Sequence, residues 1–179
     1  VKGASFDQLE KIIGSSETKN ANAQDPPLDQ QKSVINLYNQ GRLQQALDQA
    51  KTLLQQFPNS SVVHNICGAC SKGLGQFDDA IEAYKMATAI KPDYVEAYYN
   101  MGIALKEKGK LEEAVEAYTK VLSINPDFAD AHNNLGTLLQ LLDRRTEASD
   151  AFRSSIAVAP HHALAYNNLA NGLKAAALC

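Results

Sequence analysis

The chain has no excess of basic charge. Its 17 Lys and Arg stand against 20 Asp and Glu, a formal net charge of −3 over 179 residues. Nothing general draws such a chain to nucleic acid or to anionic lipid, and neither is expected as a partner. No apolar run approaches the ~18 residues of a membrane span. The opening "VKGASFDQLEKIIGSS" lacks the apolar stretch of a signal peptide. It starts on Val1 rather than Met, so the natural start is expected upstream. Three cysteines are too few, and odd in number, for a disulfide framework. A reducing, cytoplasmic setting is therefore the default expectation. The pattern holds no Gly-rich phosphate loop, no Ser/His/Asp set and no HExxH. The chain reads as non-enzymatic, with no cofactor and no metal. A hydrophobic content of 45% with 21% charged residues belongs to a packed protein rather than a disordered one.

What the chain does have is a period. Pro58, Pro92, Pro126 and Pro160 are spaced by 34 residues. Gly41, Gly75 and Gly109 keep that step, as do Gly68, Gly102 and Gly136, and Ala46, Ala80, Ala114 and Ala148. A shared period in several residue classes is the mark of a repeat architecture. In residues 95–128, Tyr98, Met101, Gly102 and Leu105 form one apolar stripe at helical spacing, and Ala114, Ala117, Tyr118 and Val121 form a second. Gly109 supplies the turn between two helices. Pro126 ends the second helix, and Asp93 and Asp127 sit where an N-cap is expected. Gly102 and Ala114 are small where the two helices cross.

This pattern resembles the tetratricopeptide repeat. Units 61–94, 95–128 and 129–162 carry its large, small and proline positions, 27–60 is degenerate, and 163 begins a fifth unit that stops early. The resemblance implies an all-α, right-handed α-solenoid of helix–turn–helix repeats. It also implies that the first helix of each pair lines a concave face that binds a peptide or protein segment.

In that register the C-x-x-C of Cys67 and Cys70 falls on and beside a core position of a first helix, and His64 on another. A low-pKa thiol needs a helix N-terminus, and Cys67 is well past the first turn. A zinc site needs about four ligands. The cysteines therefore read as structural. His161 and His162, after Pro160, read as a solvated turn.

The sixth position of each unit points away from the core stripe. It is Asn100, Asn134 and Asn168 in the last three units, but Ile66 and Lys32 upstream. An Asn amide offers a donor and an acceptor and can pair with both groups of a peptide backbone. The phrases "NNLG", "NNLA" and "LKEKGKLEEAVEAY" resemble the repeat arm of O-linked N-acetylglucosamine transferases, where an Asn ladder holds extended peptide. Around the ladder, Asn65, Glu96, Tyr99, Ile103, Lys106, Asp130, Asn133 and Thr137 complete the expected binding face, with Tyr99 as its aromatic anchor. The Lys and Arg clamp of chaperone-tail receptors is missing, since the fifth position is Gln31, Asn65, Tyr99 and Asn133. The resulting expectation is a non-catalytic interaction module. The alternative is the substrate-recognition arm of a larger glycosyl- or sulfotransferase whose catalytic domain is missing here.

The two ends remain. Residues 14–26 are polar and small and read as a linker. Before them, residues 1–13 hold a short amphipathic helix with Phe6, Leu9, Ile12 and Ile13 on one face. It is too short to be stable alone and is expected to dock, in its own groove or a neighbour's. Residues 163–179 form a capping or continuing helix whose last residues are apolar. Pairing through that helix, or exchange of the N-terminal one, offers a route to a homo-oligomer.

Overall fold

In the computed structural model, residues 25–177 are described, with side chains as far as Gly172. Every regular element among them is an α-helix. In order these are α1 (Leu28–Asn39), α2 (Leu43–Gln56), α3 (Ser61–Gly73), α4 (Phe77–Ile90), α5 (Val95–Glu107), α6 (Leu111–Ile124), α7 (Ala129–Leu141), α8 (Arg145–Val158) and α9 (Ala163–Ala177). Each unit of the repeat from 27 to 162 therefore holds one pair, and α9 follows. The expected N-terminal helix and most of the linker lie outside the described residues. So do the side chains of 173–179, on which the reading of the C-terminal edge rests.

The turns within pairs share one design. Gly41 N–H donates to the Tyr38 carbonyl (2.9 Å) and Arg42 N–H to the Leu37 carbonyl (3.0 Å). The same two bonds recur at Gly75 and Gln76, at Gly109 and Lys110, and at Asp143 and Arg144. This is the glycine-terminated helix end, which satisfies the last carbonyls through one residue of positive φ. The three glycines take φ of 75–77°, and Asp143 takes 58° in the fourth turn.

The N-caps depart from expectation. Ser60 caps α3 by accepting from Val63 N–H (3.2 Å). The cap residue of α7 is Phe128, with no side-chain hydrogen bond, so Asp127 lies one residue outside it. Its α5 counterpart, Asp93, is two residues before the helix begins. Acidic residues in the first turn still favour the positive end of the helix dipole: Asp78 and Asp79 in α4, Glu112 and Glu113 in α6.

The chain forms two compact units, one ending at Ala104 and the other starting at Leu105. In the first, α3 packs on α4 and α2. The core there holds Val34, Ala46, Leu47, Val63, Cys67, Cys70, Ala80 and Tyr84. In the second, α7 packs on α8 and α6, and α9 on α8. Leu139, Ala148, Ala151 and Phe152 form its core, with Val115, Leu135 and Leu169 against them. Both units use a glycine to bring helices together. A Cβ on Gly68 would lie 2.6 Å from Tyr84 Cε1, and one on Gly136 2.6 Å from Phe152 Cε1.

Candidate interaction faces

The C-x-x-C pair lies in the core of the first unit. Cys67 and Cys70 are free and buried. Burial pushes their thiols up, to about 11 and about 12. Such thiols are neither nucleophiles nor ready ligands at neutral pH. Among the described residues, no group of three His, Cys, Asp or Glu is placed to hold a metal.

The histidines do more than the sequence indicated. His64 Nε2 lies 2.9 Å from the Pro58 carbonyl, and His132 Nε2 2.8 Å from the Pro126 carbonyl. Each ties the start of a first helix to the proline that ended the preceding helix. Both rings are half-buried rather than core.

His162 is not a solvated turn residue. Its Nδ1 is 2.8 Å from Ser155 Oγ, and its Nε2 is 3.4 Å from Asp130 Oδ1. Stacking thus assembles a Ser/His/Asp trio that no sequence spacing showed. It lacks the geometry of a nucleophile. Ser155 is buried, and its hydroxyl donates to the Ala129 carbonyl at 2.8 Å. With that one proton used, His162 Nδ1–H must be the donor to Oγ. Ser155, held in turn by His162, ties the end of α8 to the start of α7.

In the first unit, Asn65 is fully buried, with its Nδ2 donating to Tyr94 Oη (3.3 Å) and its Oδ1 without a hydrogen-bond partner among the described residues. Tyr99 and Asn100 are also buried, while Glu96 and Ile103 are half-buried. Lys72 Nζ donates to Asn100 Oδ1 at 3.1 Å. Burial lowers the Lys72 pKa. Ile66, at the sixth position, is buried rather than outward.

In the second unit, Asn168 Nδ2 donates to Asn133 Oδ1 (3.0 Å), and Gln140 Nε2 lies 3.5 Å from the Asn168 carbonyl. Asn134 Nδ2 is 3.5 Å from Tyr118 Oη. Asn133 is buried, Asp130 is exposed, and Lys106, Asn134, Thr137 and Asn168 are half-buried. Asn100 and Asn168 therefore each have one side-chain group held within their own unit. The Asn168–Asn133 pair joins residues 35 apart, which no local spacing announces.

No helix among the described residues is long and apolar enough to cross a membrane. The fold is similar to that of a crystal structure of MamA, with a TM-score of 0.78 at 23% identity over 81% of this chain and 85% of that one. It is also similar to the first repeat domain of Spaghetti bound to the HSP90 peptide SRMEEVD, with a TM-score of 0.63 at 20% identity over 65% and 93%. A curated relative, the peroxisomal targeting signal receptor of Kluyveromyces lactis, is 36% identical over 58 residues, 32% of this chain. The match spans 10% of that receptor's length. Models of the TPR repeat match 73–109 and 104–143, and a model of the tetratricopeptide repeat matches 32–60. With these matches covering more than half of its residues, this all-α chain belongs to the tetratricopeptide-repeat family.

Proposed function

We propose that the chain is a non-catalytic module that binds a peptide, or an extended segment of a protein partner, on the faces of its first helices. The observation that carries this reading is the half-satisfied state of the amides there. Asn100 gives its Oδ1 to Lys72, and its Nδ2 makes no hydrogen bond among the described residues. Asn168 gives its Nδ2 to Asn133, and its Oδ1 makes none. Each amide is thus oriented by one group and offers the other, a donor in one unit and an acceptor in the other. A peptide backbone needs both kinds. The peptide in the Spaghetti structure supports the same use of the fold. That peptide is acidic, whereas the chain has no Lys or Arg at the fifth position of its units, so a less acidic, extended ligand fits better. The transferase-arm reading has no observation of this structure in its favour.

The test is selection of a random heptapeptide library on the immobilised chain, followed by NMR titration of the selected peptides. Shifts at the side-chain amides of Asn100 or Asn168 are expected. Shifts confined to second-helix residues, such as Glu112 and Glu116, would end the proposal.

A further inference from the structure

We infer that the first unit holds a seat for one carboxylate of the bound segment, with Lys72 as its cation and Asn100 as the brace that aims it. The seat rests on the peptide-binding reading above and gives that ligand a charge and a register.

Lys72 stands in the last turn of α3, and its side chain is half-buried. Its ammonium has three donors and no acceptor. One donor goes to Asn100 Oδ1, at 3.1 Å. Among the described residues no carboxylate lies within salt-bridge distance of it, and burial lowers its pKa with no anion to oppose the shift. Glu96, one turn before Asn100 on α5, makes no ion pair with it. A desolvated cation whose partner is a neutral amide is a costly group to keep. A carboxylate brought by a ligand would meet donors already aimed and partly stripped of water. Charge-assisted bonds of this kind are the strong ones.

The second unit repeats the contact without the charge. Lys72 and Asn100 hold the twelfth position of one repeat and the sixth of the next. Gln140 and Asn168 hold the same two positions 68 residues on, and Gln140 Nε2 lies 3.5 Å from the Asn168 carbonyl. Both contacts span 28 residues. The position is therefore a regular bridge between neighbouring first helices, cationic in the first unit and neutral in the second. A segment lying along these helices gains from a carboxylate over Lys72 and gains nothing from one over Gln140. Asn100 Nδ2 stays available for the backbone, so one residue of the ligand can use the amide while a carboxylate beside it reaches Nζ.

The experiment is an array of heptapeptides, random except for one fixed residue at each position in turn. One set fixes Glu and is capped at both ends. A second fixes Gln and is capped. A third fixes Gln and keeps a free C-terminal carboxylate. At 0.05 M NaCl the native chain should give about tenfold more signal or more on a carboxylate set than on the neutral set, and the gain should shrink at 0.5 M. A gain on the Glu set makes the carboxylate a side chain, and a gain on the third set makes it a chain end. Lys72→Arg and Gln140→Met should keep the gain, and Lys72→Met should lose it. Binding without any gain in the native chain overturns the seat, as does the same gain in Lys72→Met. If no set binds, the peptide-binding proposal fails, and a second measurement decides the seat. The Lys72 Cε–Hε NMR signal, assigned by its loss in Lys72→Met, is followed with pH in 0.2 M sodium acetate and in 0.2 M sodium chloride. A carboxylate at the ammonium favours its charged form, so Lys72 should keep its proton to a higher pH in acetate. Identical titrations in the two salts overturn the seat.

Discussion

Lys72 Nζ donates to Asn100 Oδ1 over 3.1 Å, from the last turn of α3 to α5. A largely buried ammonium with an amide as its protein partner is a costly arrangement. Hydrogen bonds to charged groups are worth ~1.5–3 kcal/mol. Asn100→Ala should therefore destabilise the native chain by about that amount, measured by urea unfolding. In a Lys72→Met background the same change should cost under ~0.5 kcal/mol, because the charge that needed the oxygen is gone. Equal costs in both backgrounds would show that the pair is uncoupled.

The buried thiols give a pH dependence with a definite sign. Cys67 is raised from 9.0 to about 11 and Cys70 from 9.0 to about 12. The folded state keeps these protons where the unfolded chain loses them. Their stabilisation is whole below about pH 9 and is lost as pH rises towards the folded values, by ~1.4 kcal/mol per pH unit for each thiol. Urea titrations at pH 8, 9, 10 and 11 should show a steeper fall for the native chain than for Cys67→Ala/Cys70→Ala. Parallel curves would mean that the thiols ionise in the folded state as they do in the unfolded one.

The glycine at the α7–α8 crossing is a packing requirement. A Cβ on Gly136 would meet the Phe152 ring at 2.6 Å, and that ring is fully buried. Gly136→Ala should cost ~1–3 kcal/mol through overpacking. With Phe152→Leu in place, the smaller side chain leaves room, and the same substitution should cost under ~1 kcal/mol. A cost that does not change with Phe152 would place the strain elsewhere.

Much of the fold could be read from the repeat because its determinants are local. The 34-residue step carries the helix-ending glycines, the close-packing glycines and the alanines of the second helices, and each acts within a few residues of its own turn. What the sequence hid was produced by stacking. Asn168 and Asn133 meet across neighbouring first helices, and Ser155, His162 and Asp130 meet at the end of α8. Helical spacing places the sixth position outward, yet Ile66 and Asn100 are both buried. The 100° geometry of a lone helix takes no account of what covers it. The polar face was therefore legible as a set of residues but not as a set of partners.

Asp143 is where the repeat breaks its own rule, and that break can be repaired. It occupies the place of Gly41, Gly75 and Gly109 and holds φ at 58°. A side chain in the left-handed region is strained, because Cβ crowds the following carbonyl, and the cost is ~1–2 kcal/mol, least for Asp and Asn. The aspartate makes one surface ion pair, with Arg145 Nε at 2.7 Å, both partners being largely exposed. Exposed pairs contribute ~0–1 kcal/mol and weaken with salt. Glycine has more unfolded-state freedom to lose, which takes back part of the relief. The balance favours Asp143→Gly by about 0.5–1 kcal/mol, and the gain should be larger at high salt, where the lost ion pair counts for less. Melting in 0.05 M and 0.5 M NaCl separates the two contributions. A lower melting temperature at both salts would mean that the aspartate does more for the turn than its backbone strain costs.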